Sequence, residues 1–240
     1  MTAKDEFKYA GSELALFREV RNWKTYWSGQ IRPFIAGDVL EVGAGIGANT
    51  PYLDSSGSGK WVCLEPDPEL IAILSQKLNL GSTPQYETLC GTIKSIGTRL
   101  FDTIAYIDVL EHIKDDRAEL DAAAEHLRPG GRILVLAPAH QFLFTPFDSA
   151  IGHFRRYDRS MLRKISPAGL DLVRVRYLDC VGLSASFANL ALLRQSMPTR
   201  VQLRLWDKLL VPVSKVLDPL LKYSLGKSVL AVWSKRGAGD

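Results

Sequence analysis

The chain predicts an α/β fold, a mostly parallel sheet covered by helices on both faces. Three observations predict it. Between Val39 and Ala139, short apolar runs alternate with segments of helical pattern. The first of these runs empties directly into a glycine-rich turn, Gly43-Ala44-Gly45-Ile46-Gly47, that opens a helix. With 240 residues, of which 46% are hydrophobic and 23% charged, the chain can bury one sizeable core. A strand followed by a helix and another strand needs a crossover, and crossovers pair strands in parallel.

The elements follow in order. Residues 13–35 carry a helical pattern, with Leu14, Leu16, Phe17, Val20, Trp23, Tyr26, Trp27 and Ile31 as its apolar content, disturbed by Pro33. Residues 1–36 therefore read as a helical cap. After Gly37-Asp38, the run 38–43 is a buried strand stopped by glycine. A brief helix spans 48–53, a second strand 61–66, and a helix 68–78. A third strand spans 85–91 and a fourth 102–108. A helix from Arg117 to Leu127 leads to a tight turn at Pro129-Gly130-Gly131 and a fifth strand, 132–139. This unit, 37–140, is the expected ligand-binding core. Residues 140–158 form a loop rich in aromatics and charge. The stretch 170–179 alternates as a sixth strand, with Val173, Val175 and Tyr177 on one face and Leu172, Arg174 and Arg176 on the other. Residues 183–221 are mostly helical and leucine-rich, and 228–235 closes the chain as a last strand.

The glycines remove Cβ atoms where the backbone must turn sharply and approach a ligand. Gly43, Gly45 and Gly47 follow a GxGxG pattern, one residue short of the GxGxxG dinucleotide fingerprint. Glu65 ends the next strand and lies beside the loop in this architecture, where a carboxylate can accept from both ribose hydroxyls. Together they point to a nucleoside ligand.

Four blocks in order, VLEVGAGIG, LEPDPEL, FDTIAYIDVLEHI and LRPGGRILVLAP, resemble the S-adenosylmethionine-dependent methyltransferases of the Rossmann-like class. The resemblance implies a three-layer sandwich with a seven-stranded, mostly parallel sheet whose last strand is antiparallel, plus a helical C-terminal insertion. It implies S-adenosylmethionine as cofactor, with its methionine part over the loop around Glu41, Gly43, Ala44, Gly45, Gly47 and Asn49. It puts Glu65 on the ribose, Pro66 and Asp67 beside the adenine, and Asp108 and Val109 facing the cofactor. The family often carries an acid after the third strand. Here Thr92 stands there, so its hydroxyl or backbone is the expected adenine contact. Asp108, Glu111 and His112 have the i, i+3, i+4 spacing of a metal site. Helix starts favour acids, however, and the block resembles one common in the family, so no metal is expected.

The loop 140–162 is positioned to cover the acceptor, because ligands of open α/β sheets sit at the carboxyl ends of strands. Its segment from Asp148 through Gly152-His153-Phe154-Arg155-Arg156-Tyr157 resembles a GHxRRY-type signature in one branch of these enzymes. His153 is the leading candidate base, with Asp148 orienting it and His140 second. The alternative is that Asp148, His153 and Arg156 staple the loop. Arg155, Arg156, Tyr157 and Phe144 are candidate acceptor contacts.

The formal net charge is +4, without a dense Lys/Arg run, which argues against a nucleic-acid partner. Cys63, Cys90 and Cys180 are far apart and show no metal-ligand spacing, as in a reducing cytoplasm. No signal peptide or membrane-spanning run is legible. The segment 200–227 is basic and amphipathic, suited to packing on the core or to peripheral contact with a membrane. The favoured reading is methyl transfer to a small-molecule acceptor, hydrophobic or lipid-linked. An NAD-dependent oxidoreductase and a non-catalytic adenosylmethionine-binding protein are the alternatives.

Overall fold

A computed structural model describes residues 19–54, 59–79, 86–188 and 199–237. The expected helical residues before 19, the start of the third strand at Gln85, lobe residues 189–198 and the tail after 237 lie outside them.

Helix α1 (Asn22–Ile31) lays Lys24, Trp27 and Ile31 on one buried face, with Val20 buried just before it, and Pro33 ends it in a 3₁₀ turn, Arg32–Phe34. The chain continues through β1 (Val39–Val42), α2 (Thr50–Leu53), β2 (Trp61–Glu65), α3 (Pro68–Asn79), β3 (Tyr86–Cys90) and β4 (Phe101–Ile107). Then come α4 (Asp116–Glu125), β5 (Leu127–Pro138), α5 (Pro146–Ala150), α6 (Arg159–Lys164), β6 (Leu170–Leu178) and α7 (Cys180–Ala188). Helix α8 (Arg200–Leu205) runs through a π-helical turn, Trp206–Leu210, into α9 (Val211–Leu220), and β7 (Ser228–Lys235) ends the fold.

The sheet has seven strands in the order β3-β2-β1-β4-β5-β7-β6. Strand β7 runs antiparallel to both β5 and β6, while the other neighbours pair in parallel. Chain order reverses between β1 and β4, which opens a crevice at their carboxyl ends. Alternation sends Leu40 and Val42 to one core and Val39 to the other. One core packs the sheet against α4 and α6, the other against α1, α3 and the α8–α9 arm.

Two local expectations are corrected. Pro129-Gly130-Gly131 is not a free turn before the fifth strand. It lies inside β5 as a bulge, since Phe101 pairs with Leu127 while Thr103 pairs with Arg132. In β6 the register slips between Leu172 and Arg174, so Val173 bulges out, 51% exposed. Leu172 therefore joins Val175 and Tyr177 against the first core instead of facing away from them.

The lobe after β6 is held by buried acids. Asp207 accepts from the backbone N–H groups of Arg21, Asn22 and Trp23, capping α1 from the far end of the chain. Asp218 accepts from the Tyr26 hydroxyl at 2.6 Å and from the N–H groups of Asp179 and Cys180. Asp179 accepts from the Trp206 indole, the Ser214 hydroxyl and the Gly182 N–H. The outer face of α8–α9 carries Val201, Leu205, Leu209, Val216 and Leu220, each more than half exposed.

Candidate active site

The glycine loop joins β1 to α2 with Gly43, Gly45 and Gly47 at φ of 66°, 55° and 69°, a region that disfavours side chains. The three glycines serve different ends. A Cβ on Gly43 would stand 2.5 Å from a Val109 methyl, and one on Gly47 would stand 2.4 Å from a Leu74 methyl. A Cβ on Gly45 would meet no atom within 4 Å. Gly43 and Gly47 are thus required by packing, and Gly45 leaves room for a ligand's approach.

Glu65 stands under that opening, 4% exposed. Its Oε2 accepts from the Gly45 N–H at 2.8 Å and its Oε1 from the Asp67 N–H at 3.0 Å. Each oxygen keeps a lone pair for a further donor. Burial raises the Glu65 pKa against the opposing effect of these two bonds. Clearance at Gly45 beside a pre-positioned acceptor fits the backbone approach and ribose hydroxyls of S-adenosylmethionine.

The other cofactor candidates are placed as follows. Glu41 accepts from the Trp61 indole at 3.1 Å and lies buried inside the protein, with no open face toward the crevice. Burial pushes its carboxyl up to about 7. Ala44 is buried and donates its N–H to the Leu64 carbonyl. Asn49 precedes α2 without capping it through its side chain. Asp67 caps α3 through the N–H groups of Glu69 and Leu70, and Pro66 is half-buried beside it. Thr92 is exposed and caps the 3₁₀ turn Ile93–Ser95. Val109 packs over Gly43 and against the first core. Asp108 ends β4 in the left-handed region, φ 55°, open to solvent at the crevice. Desolvation by the protein packed around it raises its carboxyl to about 6, against the opposing charges of His153, Lys227 and Lys24.

The loop after β5 converges on Asp148, which is 1% exposed. His153 Nδ1 lies 3.0 Å from its Oδ1, and Arg156 donates to both carboxylate oxygens at 2.8 and 3.0 Å. Thr145 adds its N–H and hydroxyl. Burial alone would raise Asp148. The bonds from His153 and Arg156 and the Arg156 charge outweigh it and hold the carboxyl below its usual range.

The other ring nitrogen of His153, Nε2, faces Glu111 Oε1 at 3.8 Å, and its side chain is only 9% exposed. The ring thus looks at a buried carboxylate instead of offering a nitrogen to the open crevice. Burial pushes Glu111 well up, and the Asp108 charge adds to it. Burial also pulls His112 down to about 4.

Several acceptor-side expectations change. Tyr157 is a correction: it is fully buried and its hydroxyl lies 2.8 Å from Asp116 Oδ2 and 3.1 Å from the Leu110 carbonyl, so it cannot touch an acceptor. Arg155 is tied to Asp116 at 2.5 Å and to the Lys114 carbonyl. Arg156 is committed to Asp148. Phe144 is half-buried at the foot of the loop. His140 holds the Gly226 carbonyl through Nε2 at 3.0 Å and packs between Phe142 and Tyr177. Burial lowers its pKa.

Sequence reasoning missed Lys24. Its ammonium donates to the Ala48 carbonyl at 3.0 Å, bracing the glycine loop from α1. The signal was present, since Lys24 falls on the same 4, 3, 4 spacing as Val20, Trp27 and Ile31.

Residues 15–178 match a family described as a methyltransferase domain. The ubiquinone biosynthesis O-methyltransferase of Xylella fastidiosa is 33% identical over 106 residues, 43% of this chain and 42% of that protein. The matched region thus spans less than half of that relative's length. Among solved structures, the YcgJ protein of Bacillus subtilis superposes with a TM-score of 0.60 at 16% identity, covering 91% of this chain and 100% of that one. An S-adenosylmethionine-dependent methyltransferase of Clostridium acetobutylicum gives 0.56 at 12%, covering 91% and 93%. A phosphoethanolamine N-methyltransferase of Haemonchus contortus, solved with S-adenosylhomocysteine, gives 0.62 at 13%, covering 93% and 56%. These three likenesses concern the fold.

Proposed function

This chain belongs to the methyltransferase-domain family, and from that premise we propose that it transfers the methyl group of S-adenosylmethionine to a small-molecule acceptor, hydrophobic or lipid-linked. The observation that carries the reading is the clearance at Gly45 above the buried Glu65 carboxylate. The cofactor supplies an activated methyl on a sulfonium. The protein's part is to hold it and align the acceptor for in-line displacement, where alignment alone can supply much of the rate. Glu65 accepts from the ribose, the loop backbone lets the methionine part approach, and Lys24 keeps the loop in place. Asp108 lines the crevice beside them.

Calorimetry tests this. S-Adenosylhomocysteine should bind the whole chain, NAD should not compete, and Gly45→Val should weaken binding because a branched side chain fills the approach space. A folded Gly45→Val chain that binds normally rejects the loop assignment. Competition by NAD would favour the oxidoreductase alternative. Binding without turnover on any acceptor would favour the non-catalytic one.

A second reading concerns where the acceptor is met. Both acids of residues 200–222, Asp207 and Asp218, are turned inward, so the outer face presents exposed aliphatics flanked by Arg200, Arg204, Lys208, Lys215 and Lys222. A basic, apolar face suits the surface of an anionic membrane. No helix among the described residues is long and apolar enough to cross one. The protein should sediment with anionic vesicles at low salt and be released by high salt. Absence of binding at low salt would mean that the acceptor is met in solution.

A further inference from the structure

We propose that Glu111, His112 and His153 bind one divalent transition-metal ion of the zinc type. Their ligand atoms all lie within 4.8 Å of one another. Both Glu111 carboxylate oxygens are buried without a hydrogen-bond partner, in a residue only 1% exposed. A buried carboxylate that receives no donor is rare in folded proteins, and an ion is one of the few things that explains it. The trio is not the one suggested by spacing along the sequence. Asp108 is replaced by His153, which the folded loop delivers from the other side.

The histidines are prepared as metal ligands. His153 turns Nδ1 to Asp148 at 3.0 Å, which leaves the Nε2 lone pair toward Glu111. His112 turns Nδ1 toward the Gly152 backbone, and the two rings meet edge to face with centroids 4.5 Å apart. Metal-binding histidines typically give their second nitrogen to a carboxylate or carbonyl in this way, which fixes tautomer and ring orientation. Asp148 is itself immobilised by Arg156 and Thr145, so the whole loop acts to hold one imidazole in place.

Two imidazoles and one carboxylate select zinc or its transition-metal neighbours over calcium and magnesium, which prefer oxygen-only sets. Three protein ligands leave a coordination position for an outside donor. Resting on the methyl-transfer reading, that donor is an oxygen or nitrogen of the acceptor, since Asp108, three residues before Glu111, is exposed where β4 ends at the crevice.

The test uses the full chain, stripped with EDTA and carrying Cys90→Ser to remove the exposed thiol. Zinc is titrated against a chromogenic chelator, and cobalt is added as a spectroscopic probe. One equivalent of zinc should bind with a submicromolar dissociation constant, and cobalt should show ligand-field bands without thiolate charge transfer. Glu111→Gln should weaken binding at least about 100-fold. Asp148→Asn, which disturbs the support of His153 along with the bonds from Arg156 and Thr145, should weaken it about 10–100-fold. His112→Asn serves if Glu111→Gln does not fold. The proposal is overturned if the folded parent binds no stoichiometric metal, if thiolate bands appear, or if the ligand variants bind like the parent. S-Adenosylhomocysteine calorimetry on the same stripped chain separates the two readings. Metal binding without nucleoside binding would keep the site and reject methyl transfer.

Discussion

The glycine-loop half of the sheet and the lobe after β6 put opposite kinds of side chain inside. Around β1 and β2 the interior is aliphatic and aromatic, and the buried acids Glu41 and Glu65 are exceptions tied to single tasks. In the lobe three aspartates, 179, 207 and 218, organise the interior, while most leucines and valines of α8 and α9, Leu203 and Val211 apart, point outward. The first region is stabilised by removing apolar surface from water. The second is stabilised by satisfying backbone and indole donors that burial would otherwise leave unpaired. Its outward leucines contribute little to the fold of this chain, and their conspicuous exposure points to a role at the surface.

That contrast can be broken at several points. Asp218→Ala strips an acceptor from three buried donors and should cost about 3–5 kcal/mol in urea unfolding, the range for a broken buried polar network. Leu64→Ala in β2, fully buried, should cost about 2–5 kcal/mol. A lobe that tolerated Asp218→Ala as an ordinary surface change would remove the contrast.

Glu41 sharpens the comparison through pH. Its folded pKa is raised to about 7, so the protonated form suits the fold. The stability this proton gives is full below the ordinary carboxylate pKa of about 4.3, declines as pH rises through about 7, and is absent above it. Glu41→Gln should therefore change little at pH 5 and add at most about 4 kcal/mol at pH 8, by the free-energy worth of the shift. Equal effects at both pH values would reject a neutral Glu41.

Glu65→Gln turns an amide NH₂ toward one of two backbone N–H donors and removes a charged acceptor for the ribose. S-Adenosylhomocysteine binding should weaken by about 1–3 kcal/mol, roughly 5–150-fold, in calorimetry. An unchanged dissociation constant would take Glu65 out of the binding site. The smallest effect belongs to Leu220→Ala, 73% exposed and two residues after Asp218. It should stay within about 0.5 kcal/mol in stability. A large loss would show that this leucine is covered in solution.

Much of the fold was legible because the sheet core obeys local rules. Val39–Val42, Trp61–Glu65 and Ser228–Lys235 are short apolar runs bounded by turn residues, and the structure places strands there within a residue or so of the expected ends. The bulges at Pro129–Gly131 and Val173 were not legible, because a bulge is set by the neighbouring strand's register and the alternation pattern does not report it. The glycine loop and Glu65 were readable because one turn and one strand end bring them together. The Glu111–His153 approach was not, because two loops distant in sequence must fold onto each other first. Arg155 and Tyr157 read as acceptor contacts from their place in the loop expected to cover the crevice. Their commitment to Asp116 depends on a partner in another element, which no local pattern reveals.

Asp207 caps the first turn of α1 across nearly the whole length of the chain. During synthesis α1 cannot receive that cap until the ribosome has passed residue 207. Its amides should then gain their final hydrogen-exchange protection late, together with the lobe. Because Lys24 on the same helix holds the Ala48 carbonyl, the glycine loop inherits this timetable. This first described helix and the loop it braces mature only when the lobe docks, so S-adenosylhomocysteine binding should report docking of the lobe.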